Sequence, residues 1–126
     1  MQLYAKYYGN EVENLPEDIK FLYEEARELS HAINEGPIKK CTSTVLLCRK
    51  ILMHVAFDKE FPGGNFVQAL NYLVSKDVIT KNHKEKIDSI RNLGNEANHE
   101  RIINNHDDAK RVMKLLESLL LEVYCV

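Results

Sequence analysis

The chain has 126 residues, 44% hydrophobic and 29% charged, the proportions of one globular domain with a single core. A formal net charge of −2 excludes indiscriminate adhesion to polyanions, and no apolar run approaches the ~20 residues that span a bilayer. The N-terminus lacks the charged and apolar regions of a signal peptide, so a cytoplasmic protein without membrane attachment is expected.

Residues 1–14, "MQLYAKYYGNEVEN", read as an N-terminal arm or short strand packed on a single helical domain, 15–126. Leu15-Pro16 opens the first helix, with Pro16 at its first position and Glu17 and Asp18 at its positive end. Apolar residues recur at Ile19, Leu22, Tyr23, Ala26, Leu29 and Ile33, and Gly36-Pro37 is the expected stop. A second helix over about 38–58 carries Val45, Leu46, Cys48, Leu52, Val55 and Ala56. "FPGG" at 61–64 is a turn by composition, and a shorter helix, 65–75, presents Phe66, Leu70 and Leu73. Thr80 can cap a fourth helix running through "IRNLGNEANHE", residues 90–100, and Asp107 or Asp108 should start the last one.

That last helix is apolar on more than one side. Val112, Leu115, Leu116, Leu119 and Val123 form one stripe, widened by Met113, Leu120, Leu121 and Tyr124. Such a helix must be central in a bundle or buried against another chain. With no strand alternation and no internal repeat, the pattern is an all-α fold of four or five helices.

Cysteine usage points to no special chemistry. Cys41 and Cys48 lie seven residues apart on a predicted helix, roughly 10 Å along its axis and beyond the ~7 Å reach of a disulfide. Reduced structural thiols are expected. No second Cys or His stands at zinc-ligand spacing, so neither a metal nor a cofactor is expected. His31 and His54 on predicted helices, and His83 and His106 near helix starts, read as surface or polar-packing residues. There is no Walker loop, no HExxH and no nucleophile elbow.

Charge is unevenly spread. Residues 11–35 are acidic, whereas 76–91 gather Lys76, Lys81, Lys84, Lys86 and Arg91 against Asp77, Glu85 and Asp88. A solvated charged face and a polyanion-facing patch both fit, the first being commoner. In the patch reading Lys81, Lys84 and Asn98 contact nucleic acid.

The fourth helix carries the most informative stretch. On a 100° wheel Ile87, Ile90, Leu93, Gly94 and Ala97 share one side. Lys84, Asp88, Arg91, Asn95, Asn98 and His99 occupy a neighbouring arc, with Arg91, Asn95 and His99 one turn apart in succession. Gly94 costs about 1 kcal/mol relative to alanine in mid-helix. Its return is the close approach of another helix, or a kink that re-aims the residues beyond it. The polar ladder could close packing gaps and pair with neighbouring carboxylates. It could also cleave a phosphodiester: arginine holds phosphate in two contacts, and histidine moves a proton near neutrality. A base would deprotonate a ribose 2′-hydroxyl, which attacks its own phosphate while arginine stabilises the developing charge. Two protomers face to face would supply a base and an acid.

Three segments, "LPEDIKFLYEEARE", "TVLLCRKIL" and "IDSIRNLGNEANHE", resemble in that order the bacterial domain-of-unknown-function family 4145, regarded as a branch of the HEPN-like helical superfamily. The resemblance spans residues 15–124. It implies an antiparallel helical bundle, often a homodimer, occurring beside restriction and phage-defence modules. Many HEPN relatives are ribonucleases with an Arg-x(4–6)-His motif. Carried over, Arg91 and His99 are the catalytic pair, Asn95 the polar helper, and Arg49 a structural ion-pair residue. Seven residues intervene between Arg91 and His99, and Gly94 precedes Asn95 where the active motif has its arginine. RNA binding or metal-independent RNA cleavage is therefore one expectation. The other is a non-catalytic dimerisation or protein-interaction module accessory to a restriction or defence system.

Overall fold

The computed structural model describes residues 5–6, 8–33, 37–91 and 103–125, with the backbone alone at 5, 6, 32, 33 and 89–91. In chain order these form β1 (Ala5–Lys6), α1 (Glu17–Leu29), β2 (Ala32–Ile33), α2 (Cys41–Asp58), α3 (Phe66–Ser75), α4 (Lys81–Arg91) and α5 (His106–Tyr124). The fold is all-α, its one β feature a two-residue ladder among the described residues.

Pro16 stands one position before the first helical residue, its ring holding φ at −53°, and Glu17 and Asp18 lie where the helix dipole favours negative charge. Ile19, Tyr23 and Ala26 are wholly buried. The helix then stops at Leu29, a turn earlier than its apolar period suggests. The Ser30 amide donates to Ala26 at 3.0 Å, and its buried hydroxyl donates to the Arg27 carbonyl at 3.0 Å. Ala32 and Ile33 instead pair antiparallel with Lys6 and Ala5. Ile33, expected on the helical face, is therefore a strand residue, and His31 lies past the helix. A ladder to the N-terminal arm has overridden local periodicity. Gly36, the expected stop, lies outside the described residues.

The arm closes over α1 at Gly9. The Tyr23 hydroxyl donates to the Asn10 carbonyl at 2.5 Å and Arg27 Nε to the Gly9 carbonyl at 2.9 Å. A Cβ on Gly9 would sit 2.7 Å from that hydroxyl and 3.0 Å from Met113 Cε, so a larger residue here would have to displace the Tyr23 hydroxyl from its bond.

Helices α2 and α5 form the centre. Cys41, Thr44, Val45, Cys48, Ile51, Leu52, Val55 and Ala56 are buried round most of α2, which packs on α1, α3 and α5. The two central helices run in the same direction. Asn104 donates to Thr42 Oγ1 at 2.9 Å near their starts, Cys48 meets Met113 sulfur at 3.5 Å midway, and Tyr124 donates to Asp58 at 2.7 Å near their ends. Helix α1 runs against both. The Cys48 thiol is enclosed, and burial pushes its pKa well up, as befits a packing group. Cys41, Cys48 and Cys125 are all free thiols.

The connections obey local chemistry. Past α2 the chain turns through Glu60, with φ 70°, as the Phe61 amide reaches back to Ala56 at 3.0 Å. Gly64, with φ 145°, leaves room for the Gln68 side chain, which accepts from the Asn65 amide at 2.8 Å while Asn65 accepts from the Gln68 amide at 2.9 Å. That capping box starts α3. A second box starts α5: Asn105 accepts from the Asp108 amide at 2.9 Å and Asp108 from the Asn105 amide at 3.1 Å. Asn105, not Asp107 or Asp108, is thus the cap, and both aspartates fall in the first helical turn.

The breadth of apolar surface on α5 is used within the chain. Ala109, Val112, Met113, Leu116, Leu119 and Leu120 are buried, and α4 packs along one flank while the N-terminal arm reaches the other at Gly9 and Glu13.

Candidate functional site

Helix α4 begins as its sequence suggests, with Thr80 Oγ1 accepting from the His83 amide at a long 3.4 Å. Among its residues with described side chains, Ile87 alone is buried; the rest are polar or charged. Ile87 meets Leu52, Phe66, Val112, Leu115 and Leu116 around an interior gap of about 20 Å³. The Arg49 guanidinium caps that gap, its central carbon 4.9 Å from the Phe66 ring centroid. Such a gap holds about one water and no substrate. Arg49 is therefore built into the packing.

Polar ties complete the docking of α4. His83 Nδ1 lies 2.5 Å from Glu122 Oε2, close enough for an ion pair but without hydrogen-bond alignment, and Nε2 lies 3.3 Å from the Ser118 hydroxyl. Lys84 donates to Asp88 at 2.6 Å, an i,i+4 pair that offsets its charge locally. Lys81 and Lys86 are exposed, with Glu85 between them.

Arg91 is the last described residue of α4. Lys84, Asp88 and Arg91 stand at i, i+4 and i+7 on one side of α4, a stripe that begins with the Lys84–Asp88 pair. The side chain of Arg91, and the whole of Gly94, Asn95, Asn98 and His99, lie outside the described residues.

The structure also assembles a pair that spacing does not reveal. His54 Nδ1 lies 2.7 Å from Asp18 Oδ2, joining α1 to α2 across 36 residues of sequence. This bond holds the Asp18 carboxyl below the usual aspartate range. The pair borders an open groove of about 610 Å³ lined by Glu17, Asp18, Phe21, Leu22, Lys50 and His54. None of those side chains carries a hydroxyl or thiol, so a nucleophile for the pair would have to be water or a substrate group. Elsewhere, His106 Nδ1 accepts from the Ile38 amide at 2.9 Å, fastening the entry to α2 onto the start of α5.

Among the described residues no group of three or more His, Cys, Asp or Glu could hold a metal ion, and no helix is long and apolar enough to cross a membrane. No curated protein and no solved structure matches the chain significantly. A family model, Domain of unknown function (DUF4145), matches residues 27–126, which takes in α2 to α5 and the whole Arg91–His99 segment. The chain belongs to that family.

Proposed function

We propose that this domain is a HEPN-like, homodimeric RNA-binding unit that cleaves RNA without metal, in a bacterial or phage-defence setting. The observation that carries the reading is the placement of Arg91. It lies one turn past Ile87, on a helix that Ile87 anchors in the core and His83 ties to α5. In this reading His99 takes the 2′-hydroxyl proton, Arg91 stabilises charge on the phosphate and Asn95 orients it. Lys81, Lys84 and Asn98 guide the strand, and a second protomer's His99 protonates the leaving oxygen. The test is incubation of RNA with the protein in EDTA, scored for 2′,3′-cyclic phosphate ends. Arg91→Ala and His99→Ala should each lower the rate by about a hundredfold or more. Equal product from wild type and both variants removes the catalytic reading.

A protein-interaction module of a restriction or defence system is the second reading. It is favoured by large apolar side chains left in solvent, Ile103 at 88% and Leu46 at 50% exposure, near the Asn104–Thr42 tie.

A further inference from the structure

His54, His83 and His106 each carry a contact between separate parts of the chain, and the last differs in kind. His54 Nδ1 lies against Asp18 and His83 Nδ1 against Glu122, so a proton added to either ring keeps an acceptor in front of it. His106 faces a donor instead. Its Nδ1 accepts from the Ile38 amide at 2.9 Å, across 68 residues of sequence. A ring nitrogen accepts only through a lone pair, and in the imidazolium both nitrogens carry N–H. The bond therefore belongs to the neutral ring with its proton on Nε2, and protonation must break it.

The contact is enclosed on two sides. Ile38 is buried, and the ring of buried Tyr8, from the N-terminal arm, stands edge-on to the His106 ring at 5.4 Å and 77°. Among the described residues the charged groups next to the contact are Asp107 and Asp108, which follow His106 in α5, and Lys39 and Lys40, which follow Ile38. The arm contributes the Tyr8 phenol. Asp108 is already engaged with the Asn105 amide and with Arg111. Charges of the two signs are thus balanced in number, and the Nδ1 lone pair is what acid removes.

The bond also sits at one end of the proposed site. His106 comes seven residues after His99, and beside it the Asn104 amide donates to Thr42 Oγ1 at 2.9 Å. These two bonds join the chain that leaves the Arg91–His99 segment to the region where α2 begins. Asn104 and Thr42 do not titrate, whereas an imidazole does so near neutrality. We infer that His106 is a proton-released clasp: it fastens the start of α5 to the entry of α2 at neutral pH and lets go in mild acid, lowering activity at the Arg91–His99 segment. Its effect on activity rests on the RNA-cleavage reading; the clasp itself does not.

The experiment is nuclear magnetic resonance on the nitrogen-15-labelled full chain between about pH 7.5 and about pH 5.5. Ring nitrogen shifts should show a bare Nδ1 and a protonated Nε2 on His106 at the upper pH. The protection factor of the Ile38 amide should fall about tenfold or more on acidification. His106→Asn offers an oxygen acceptor near the Nδ1 position without titrating, so it should hold that protection constant, while His106→Ala should lose it at both pH values. Far-ultraviolet circular dichroism checks that each variant folds. The rate of RNA cleavage at the lower pH relative to the upper should fall about threefold further in wild type than in His106→Asn. A protonated Nδ1 near neutrality overturns the inference without any variant. So does Ile38 protection that follows one pH course in wild type and His106→Asn. An activity ratio shared by those two proteins overturns the regulatory role. If no form cleaves RNA, the cleavage reading and the regulatory role fall together, while Ile38 still decides the clasp.

Discussion

Helix α5 is gripped in two different ways. Along α2 it meets a seam of wholly buried side chains, including Cys48, Ile51, Val55, Met113 and Leu119. Along α4 the described contact is one buried isoleucine, Ile87, supported by the His83 ties to Glu122 and Ser118. Burial is non-directional and sums over area, so the first seam sets the stability of the whole molecule. Polar pairs at a surface contribute little each, so among the described residues Ile87 gives the second seam most of its hold. Removing it should open α4 locally, the helix that leads into the proposed catalytic segment.

The largest effect belongs to the first seam. Leu119→Ala should lower the free energy of unfolding in urea by about 2–5 kcal/mol, in one cooperative transition. A loss under about 1 kcal/mol would erase the contrast between the seams. Ile87→Ala sharpens it from the other side, costing about 2 kcal/mol. Amide exchange should speed up along α4 while α2 amides stay protected; equal acceleration in both would show one indivisible unit. The smallest effect lies at the exposed margin of the α1–α2 seam. The folded Asp18 carboxyl is held below its ordinary range by His54, so its stabilisation is complete above the unfolded aspartate value. That stabilisation is lost as the pH falls through the folded value. The stability difference between wild type and Asp18→Asn should stay under about 1 kcal/mol at neutral pH and vanish in acid. A difference that grows on acidification would reverse the assigned sign.

Much of the scaffold is legible in the amino-acid pattern. The 3.6-residue periods at Ile19–Ala26 and Val112–Leu119 are strong because those helices each bury a continuous face. The double apolar stripe of α5 demands cover on several sides, and α2, α4 and the α1 arm provide it. What the pattern misses is non-local or finely competitive. The end of α1 depends on a ladder to Ala5 and Lys6, which no window around Ile33 contains. The cap of α5 is a contest between Asn105, Asp107 and Asp108, decided by which pair can close a reciprocal box. On the candidate site, the Lys84–Asp88 pair follows from helical spacing alone. The ties of His83 to Ser118 and of His54 to Asp18 do not, since each joins residues about a third of the chain apart.

The close approach at Gly9 carries a practical lesson about where this unit is cut. The family match opens at residue 27, near the C-terminal end of α1. A fragment trimmed there would discard Ile19, Tyr23 and Ala26 together with the polypeptide that seals them. It would leave a bared trough along α2 and α5 in a protein whose other walls stayed intact. Anyone expressing the matched segment alone would be studying a sticky remnant, and its aggregation would say nothing about the native molecule.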